Sequence, residues 1–103
     1  MPKIHIDKKV DLKIKDLINA LYYKGYFGFM DTCIEYALNI FDFIETIPDL
    51  KRKLTANQDL GKYYASYKAN KQTTWYIIYD TDEEVFIIRN IFNNHEADYA
   101  DYI

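Results

Sequence analysis

The sequence predicts an α+β domain in which a two-helix hairpin packs on one face of a four-stranded, mostly antiparallel sheet. Three observations lead there. Residues 73–92 hold two long apolar runs, Trp75 to Tyr79 and Val85 to Phe92, rich in β-branched and aromatic residues and separated by Asp80, Thr81, Asp82, Glu83 and Glu84. Charged residues in such a run mark a chain reversal, so this is a β-hairpin. Two earlier segments repeat apolar residues at helical spacing, and the chain of 103 residues, half of them hydrophobic, suits one domain with a small core.

The elements follow in order. Lys3 to Ile6 alternates and forms a first strand, after which Asp7 caps a helix. Val10, Ile14, Leu17, Ile18 and Leu21 make the apolar stripe of that helix, which ends near Lys24 and Gly25. Gly25 to Met30 is expected to be a tight hydrophobic corner. Thr32 and Glu35 then stand at the spacing of a capping box, and Ile34, Ala37, Leu38, Phe41, Ile44 and Ile47 carry a second helix to Pro48. The basic cluster Lys51, Arg52, Lys53 is either a solvated loop or turn, or a phosphate or partner contact. Tyr63 to Tyr67 is a further strand, and Asn70 turns the chain into the central hairpin. Asn93 to Ile103 is expected to form a last turn or short helix beside the sheet.

Both hairpin strands are apolar at almost every position, which predicts central strands covered on both faces. With strict period two, Phe86, Ile88, Asn90 and Phe92 share one face of the second strand, and Val85, Ile87, Arg89 and Ile91 the other. A guanidinium on that apolar strand needs a carboxylate, the sheet rim, or a ligand.

Charge is unevenly spread. Residues 1–71 carry twelve Lys or Arg against nine Asp or Glu, whereas residues 72–103 carry Arg89 alone against seven acids, for a net charge of -3. This balance argues against a general nucleic-acid binder while leaving room for a local basic site at Lys62, Lys68 and Lys71. Cys33, the one cysteine, excludes an internal disulfide and suits a small core residue. His5 and His95 stand far apart with no ligand spacing around either, so no metal is expected. No apolar run is long enough to span a membrane and the first residues lack a signal-peptide core, which predicts a soluble, cytoplasmic protein.

Chemistry must come from a constellation, because phosphate-binding loops, nucleophile elbows and paired-cysteine motifs are all missing from the sequence. The candidates are Lys68 and Lys71 entering the hairpin, Arg89 on its second strand, His95 just beyond it, and Tyr99 or Tyr102. Each also suits an ordinary role: His95 an exposed turn, the lysines a solvated loop, the tyrosines packing.

The order of elements, together with TTWYIIYDTDEEVFIIRNIFNNHEADY at residues 73–99, resembles the RelE/ParE superfamily of bacterial toxins from type II toxin-antitoxin systems. The resemblance spans almost the whole chain and rests on residue type and order. It implies a single RelE/ParE-like toxin domain over 1–103, silenced by a cognate antitoxin protein, with no cofactor. RelE-like members cut mRNA on the ribosome; ParE-like members share the fold and act on DNA gyrase without nuclease residues. Under the first branch, a metal-independent endoribonuclease, His95 would protonate the leaving 5′ oxygen. Lys68, Lys71 and Arg89 would stabilise the phosphorane, Tyr99 would stack on a base or orient the phosphate, and Lys62 would assist substrate binding. The chain departs from the nuclease pattern at Thr73, Thr74 and Trp75, where an arginine is common, and in the acids Glu96, Asp98 and Asp101. A protein-interaction module of the same fold is the remaining alternative.

Overall fold

The computed structural model describes residues 2–25, 29–97 and 99–103; of the expected hydrophobic corner, residues 26–28 lie outside them. The elements are β1 (Lys3–Ile6), α1 (Lys8–Tyr23), α2 (Met30–Thr46), a 3-10 turn (Ile47–Asp49), β2 (Lys53–Leu54), β3 (Tyr63–Lys68), β4 (Thr74–Asp82), β5 (Val85–Asn93) and α3 (Tyr99–Tyr102). The α+β class and the central hairpin match the sequence expectation, and the sheet departs from it in two respects. It has five strands, in the order β1-β5-β4-β3-β2, and it is mixed, because β1 runs parallel to β5 while the other pairs are antiparallel. The extra strand, β2, is two residues long and pairs Lys53 with Tyr64 and Leu54 with Tyr63. So short a strand shows no periodicity, and its lysine belongs to the cluster that resembled a loop.

Helix boundaries follow local chemistry. Asp7 stands at the N-cap of α1, but its side chain makes no capping bond and its carboxylate lies 3.9 Å from the Arg89 Nε. Gly25 follows α1 with φ 73, the left-handed conformation that ends many helices and that glycine adopts without a Cβ penalty. The second helix starts two residues before the proposed box: extended Phe29 is the N-cap, Asp31 lies in the first turn, and Thr32 and Glu35 are exposed inside the helix. Pro48 falls in the 3-10 turn, where its missing N–H is tolerated.

The β4–β5 ladder contains an irregularity that corrects the facial assignment. Ile78 pairs with Asn90 but Tyr79 pairs with Ile88, so β5 has one extra residue, Arg89, at a bulge. Beyond it the alternation changes phase. Phe86, Ile88 and Ile91 all join the helix-facing core with Trp75, Ile77 and Tyr79, whereas Arg89, Asn90 and Phe92 share the opposite face.

Val10 and Ile14 of α1 and Ala37, Ile40 and Ile44 of α2 close over that core, each at most 1% exposed. Burying an isoleucine side chain stabilises by roughly 1.5–3 kcal/mol, so this layer holds the helical hairpin on the sheet. Cys33 is buried and free, as a small core residue should be. The opposite face is covered in part by the segment 55–62 and by α3. Thr55 donates to the Gly61 carbonyl at 2.8 Å, the Leu60 carbonyl accepts from Asn90 Nδ2 at 3.3 Å, and the Ala56 N–H donates to the Tyr102 carbonyl at 2.9 Å.

Tyr79 carries a polar atom in this core without a hydrogen-bond partner among the described residues: its side chain is 0% exposed and its hydroxyl is unsatisfied. A buried hydroxyl that makes no bond costs about 1–3 kcal/mol, while the ring packs against Tyr63 and Phe86. Tyr79→Phe keeps the ring and removes the cost, and is expected to stabilise the protein by about 1 kcal/mol in urea unfolding. A destabilised Phe variant would show that the hydroxyl is satisfied in solution.

The phenols of Tyr36, Tyr76 and Tyr79 are all held above the ordinary 10.0, in each case chiefly by burial. The Trp75 indole at Tyr36 and the Arg52 charge at Tyr79 oppose the rise without cancelling it. In the unfolded chain these phenols ionise near 10.0, whereas the native ones stay neutral to higher pH. Their contribution is therefore complete below pH 10 and is lost as pH rises toward the native values. Thermal melting followed from about pH 8 to 12 should show a steep decline in midpoint above pH 10, shallower in Tyr79→Phe.

Candidate functional site

The end of the sheet where β3 leaves, β4 enters and β5 stops is built by asparagines. Asn70 Oδ1 accepts from the N–H groups of Gln72 and Thr73, both at 2.9 Å, and closes the β3–β4 turn. Asn94 bridges the neighbouring strand ends, accepting from the Thr74 N–H at 2.9 Å and donating to the Gln72 carbonyl at 3.1 Å. Asn93 Oδ1 accepts from the His95 N–H at 2.8 Å, a local turn that follows the last strand residue directly. The result places His95 against the β3–β4 turn: its Nε2 is 3.1 Å from the Thr73 Oγ1.

Glu96 locks this arrangement to the helices. One carboxylate oxygen takes Lys13 Nζ at 2.8 Å, the other accepts the Asn93 N–H at 2.7 Å, and the same lysine donates to the Ile91 carbonyl at 2.8 Å. The acid next to the histidine is thus engaged by α1 and by the backbone, and the imidazole is bonded to a hydroxyl.

His95 and Thr73 open onto a cleft of about 550 Å³ between the helix pair and the sheet end. Leu17, Leu21 and Trp75 supply its apolar wall, with Lys24, Asn70 and Gln72 at polar positions. Trp75 Nε1 donates to the Tyr36 hydroxyl at 2.9 Å, joining β4 to α2 beneath it. An apolar wall with a few convergent polar groups is the usual make-up of a small-molecule or nucleotide pocket.

Comparison with protein-family models, with curated proteins and with solved structures finds no match.

The geometry divides the sequence candidates into two groups. Lys71 lies exposed in the Asn70–Thr73 turn and Lys68 ends β3 opposite Thr74, so both stand at the His95 end of the sheet. Arg89 does not join them. It lies four residues back along β5 from Asn93, roughly 13 Å at strand rise, with Nη1 3.2 Å from Asp80 Oδ2 and Nε 3.9 Å from Asp7 Oδ2. Of the openings left by the sequence, the guanidinium takes carboxylate partners. Lys62 belongs to the Arg89 end: its N–H donates to Asp80 Oδ1 at 2.9 Å and its ammonium stands 5.4 Å from the Tyr63 ring centroid. Tyr99 lies on the face opposite the helices, its ring parallel to Tyr76 within 11° at 5.7 Å. Tyr102 packs on Phe92. Asp98 lies outside the described residues.

Thr73, Lys24, Asn70 and Tyr36 are cleft residues that sequence reasoning passed over. The asparagines carried a signal, since Asn-Lys-Gln-Thr and Asn-Asn-His-Glu are both sequences that fold back on their own backbone. Among the described residues no three His, Cys, Asp or Glu side chains are grouped to hold a metal ion, and no helix is long and apolar enough to cross a membrane.

Proposed function

We propose that this chain is the toxin of a type II toxin-antitoxin pair, of the RelE/ParE type, that cleaves mRNA on the ribosome. The observation that carries this reading is the histidine of the Asn-Asn-His-Glu segment, held at the mouth of a cleft by Thr73 with the neighbouring glutamate occupied elsewhere. In that position an imidazole can give a proton to the departing 5′ oxygen while the ribose 2′ hydroxyl attacks the phosphorus. The attack forms a 2′,3′-cyclic phosphate and breaks the bond to the 5′ oxygen; the proton of the 2′ hydroxyl passes to water and water reprotonates the imidazole, so atoms and charge balance. Lys71 and Lys68 are the cations at the same end of the sheet, and Lys24 stands at the cleft. They would offset the charge that builds on the phosphate.

Induced expression without an antitoxin should arrest growth, and primer extension on the recovered mRNA should reveal new 5′ ends within coding regions. Intact mRNA during arrest would overturn the nuclease assignment.

A second reading has one observation in its favour. Arg89 is paired with Asp80 and Asp7, which leaves the nuclease arrangement one cation short. It makes the chain a non-enzymatic member of the same type that inhibits DNA gyrase or holds a partner protein through its surface. Loss of gyrase supercoiling activity with intact mRNA is the outcome that selects it.

A further inference from the structure

The helical hairpin holds most of the exposed apolar surface. Among the described residues, seven of the nine large apolar side chains left exposed stand on α1, on α2 or at the α2 N-cap, among them Tyr23 at 85% and Leu38 at 53%. Met30, Ile34 and Leu38 recur at every fourth position, and half-buried Phe41 follows three later, so they form one stripe roughly 17 Å long on α2. On α1, Leu12 and Tyr23 stand about three helical turns apart and share a row. Apolar rows of this extent on a soluble domain mark a contact surface.

The two helices carry opposite charge. Asp31, Glu35, Asp42 and Glu45, all exposed, are the only charged residues of α2, and none makes an ion pair among the described residues. Asp31, Glu35 and Asp42 each directly follow a stripe residue, which puts them beside it on the helix. In α1 four lysines stand against Asp11 and Asp16. Lys8 and Lys15 precede and follow Leu12 by about one turn; both are exposed, with Lys15 Nζ 2.9 Å from Asp11 Oδ2.

We propose that the chain forms a two-fold dimer by packing its helical hairpin on that of a second copy, α2 against the partner's α1. A two-fold contact needs a surface complementary to itself. One acidic and one basic helix, each with an apolar row, meet that need when they are crossed between copies, whereas α2 on α2 would set acids against acids. A foreign helix would have to supply lysines that α1 already has. The size also fits. The outward halves of two helices about 25 Å long and about 10 Å across amount to roughly 800 Å², which is one side of a standard interface. The apolar rows would supply the affinity, and the charges would fix which helix meets which. The dimer is independent of the target on which the chain acts.

Sedimentation velocity of the full chain from about 1 to about 200 μM should show a monomer converting to a species of twice the chain mass. Leu38→Lys, at an exposed position, should weaken the association by about 10-fold or more. Charge reversal tests which helices meet. Glu35→Lys with Asp42→Lys on α2, and Lys8→Glu with Lys15→Glu on α1, should each leave the chain monomeric, because both contacts of the two-fold dimer become like-charged. Mixing these two variants should restore a dimer containing one of each, since both contacts are then of opposite charge. Circular dichroism melts confirm that every variant is folded. The proposal is overturned if wild type stays monomeric across the range, which would give the face to a different protein. It is also overturned if folded Leu38→Lys associates as wild type does, which would put the contact elsewhere, or if the two charge-reversed variants fail to pair with each other.

Discussion

His95→Ala is expected to lower RNA cleavage by about 10²- to 10⁴-fold, the usual contribution of a positioned general acid, and to relieve growth arrest. The variant should stay folded, because His95 is exposed and its ring makes one side-chain contact, to Thr73, among the described residues. Thr73→Val tests positioning separately. Removing the hydroxyl releases the ring without changing its chemistry, so a fall of about 3- to 10-fold is expected, the worth of one ordinary hydrogen bond. Thr73→Ser should restore activity, since it keeps the oxygen and discards only the methyl. Full activity in His95→Ala would return the histidine to the role of an exposed turn residue.

Gly61→Ala is the substitution expected to cost most stability, about 2–5 kcal/mol in urea unfolding. Two effects add. The residue has φ 154, a conformation almost confined to glycine, and a Cβ built there would stand 2.6 Å from Ile78 Cγ2. Ile78 is 0% exposed, so its side chain has little room to withdraw. Gly25→Ala is the control, because its φ of 73 carries a backbone cost of about 1–2 kcal/mol while nothing among the described residues lies within 4 Å of the new methyl. The difference between the two isolates the packing of the 55–62 segment on the sheet. Equal losses would show that this segment moves away easily.

Much of the fold was visible in the sequence because long amphipathic and apolar segments leave strong periodic signals. The helices, the central hairpin and the burial of Cys33 belong to that class. The pairing of β1 with β5 was not visible, since a strand of four residues carries no sign of its direction. Nor was β2, a strand of two residues whose lysine belongs to a basic cluster. At the candidate site, sequence order grouped His95 with Arg89 because they stand six positions apart. An extended strand turns that separation into distance, and the acids that quench Arg89 come from β4 and from the residue before α1. Thr73, by contrast, is 22 positions from His95 and reaches it through the β4–β5 pairing.

The bulge in β5 makes backbone geometry, as well as composition, a determinant of the cleft. Arg89 is the odd residue and the bulge absorbs it, so that Ile88, Asn90, Ile91 and Phe92 alternate as if it were not there. Drawn into a regular strand of the same length, β5 would turn Ile91 out to the face opposite the helices, drive Phe92 under α1 and start the loop that presents His95 from the wrong side of the sheet. Deleting Arg89 should thus leave both faces in place and cost chiefly the contacts of its guanidinium with Asp80 and Asp7.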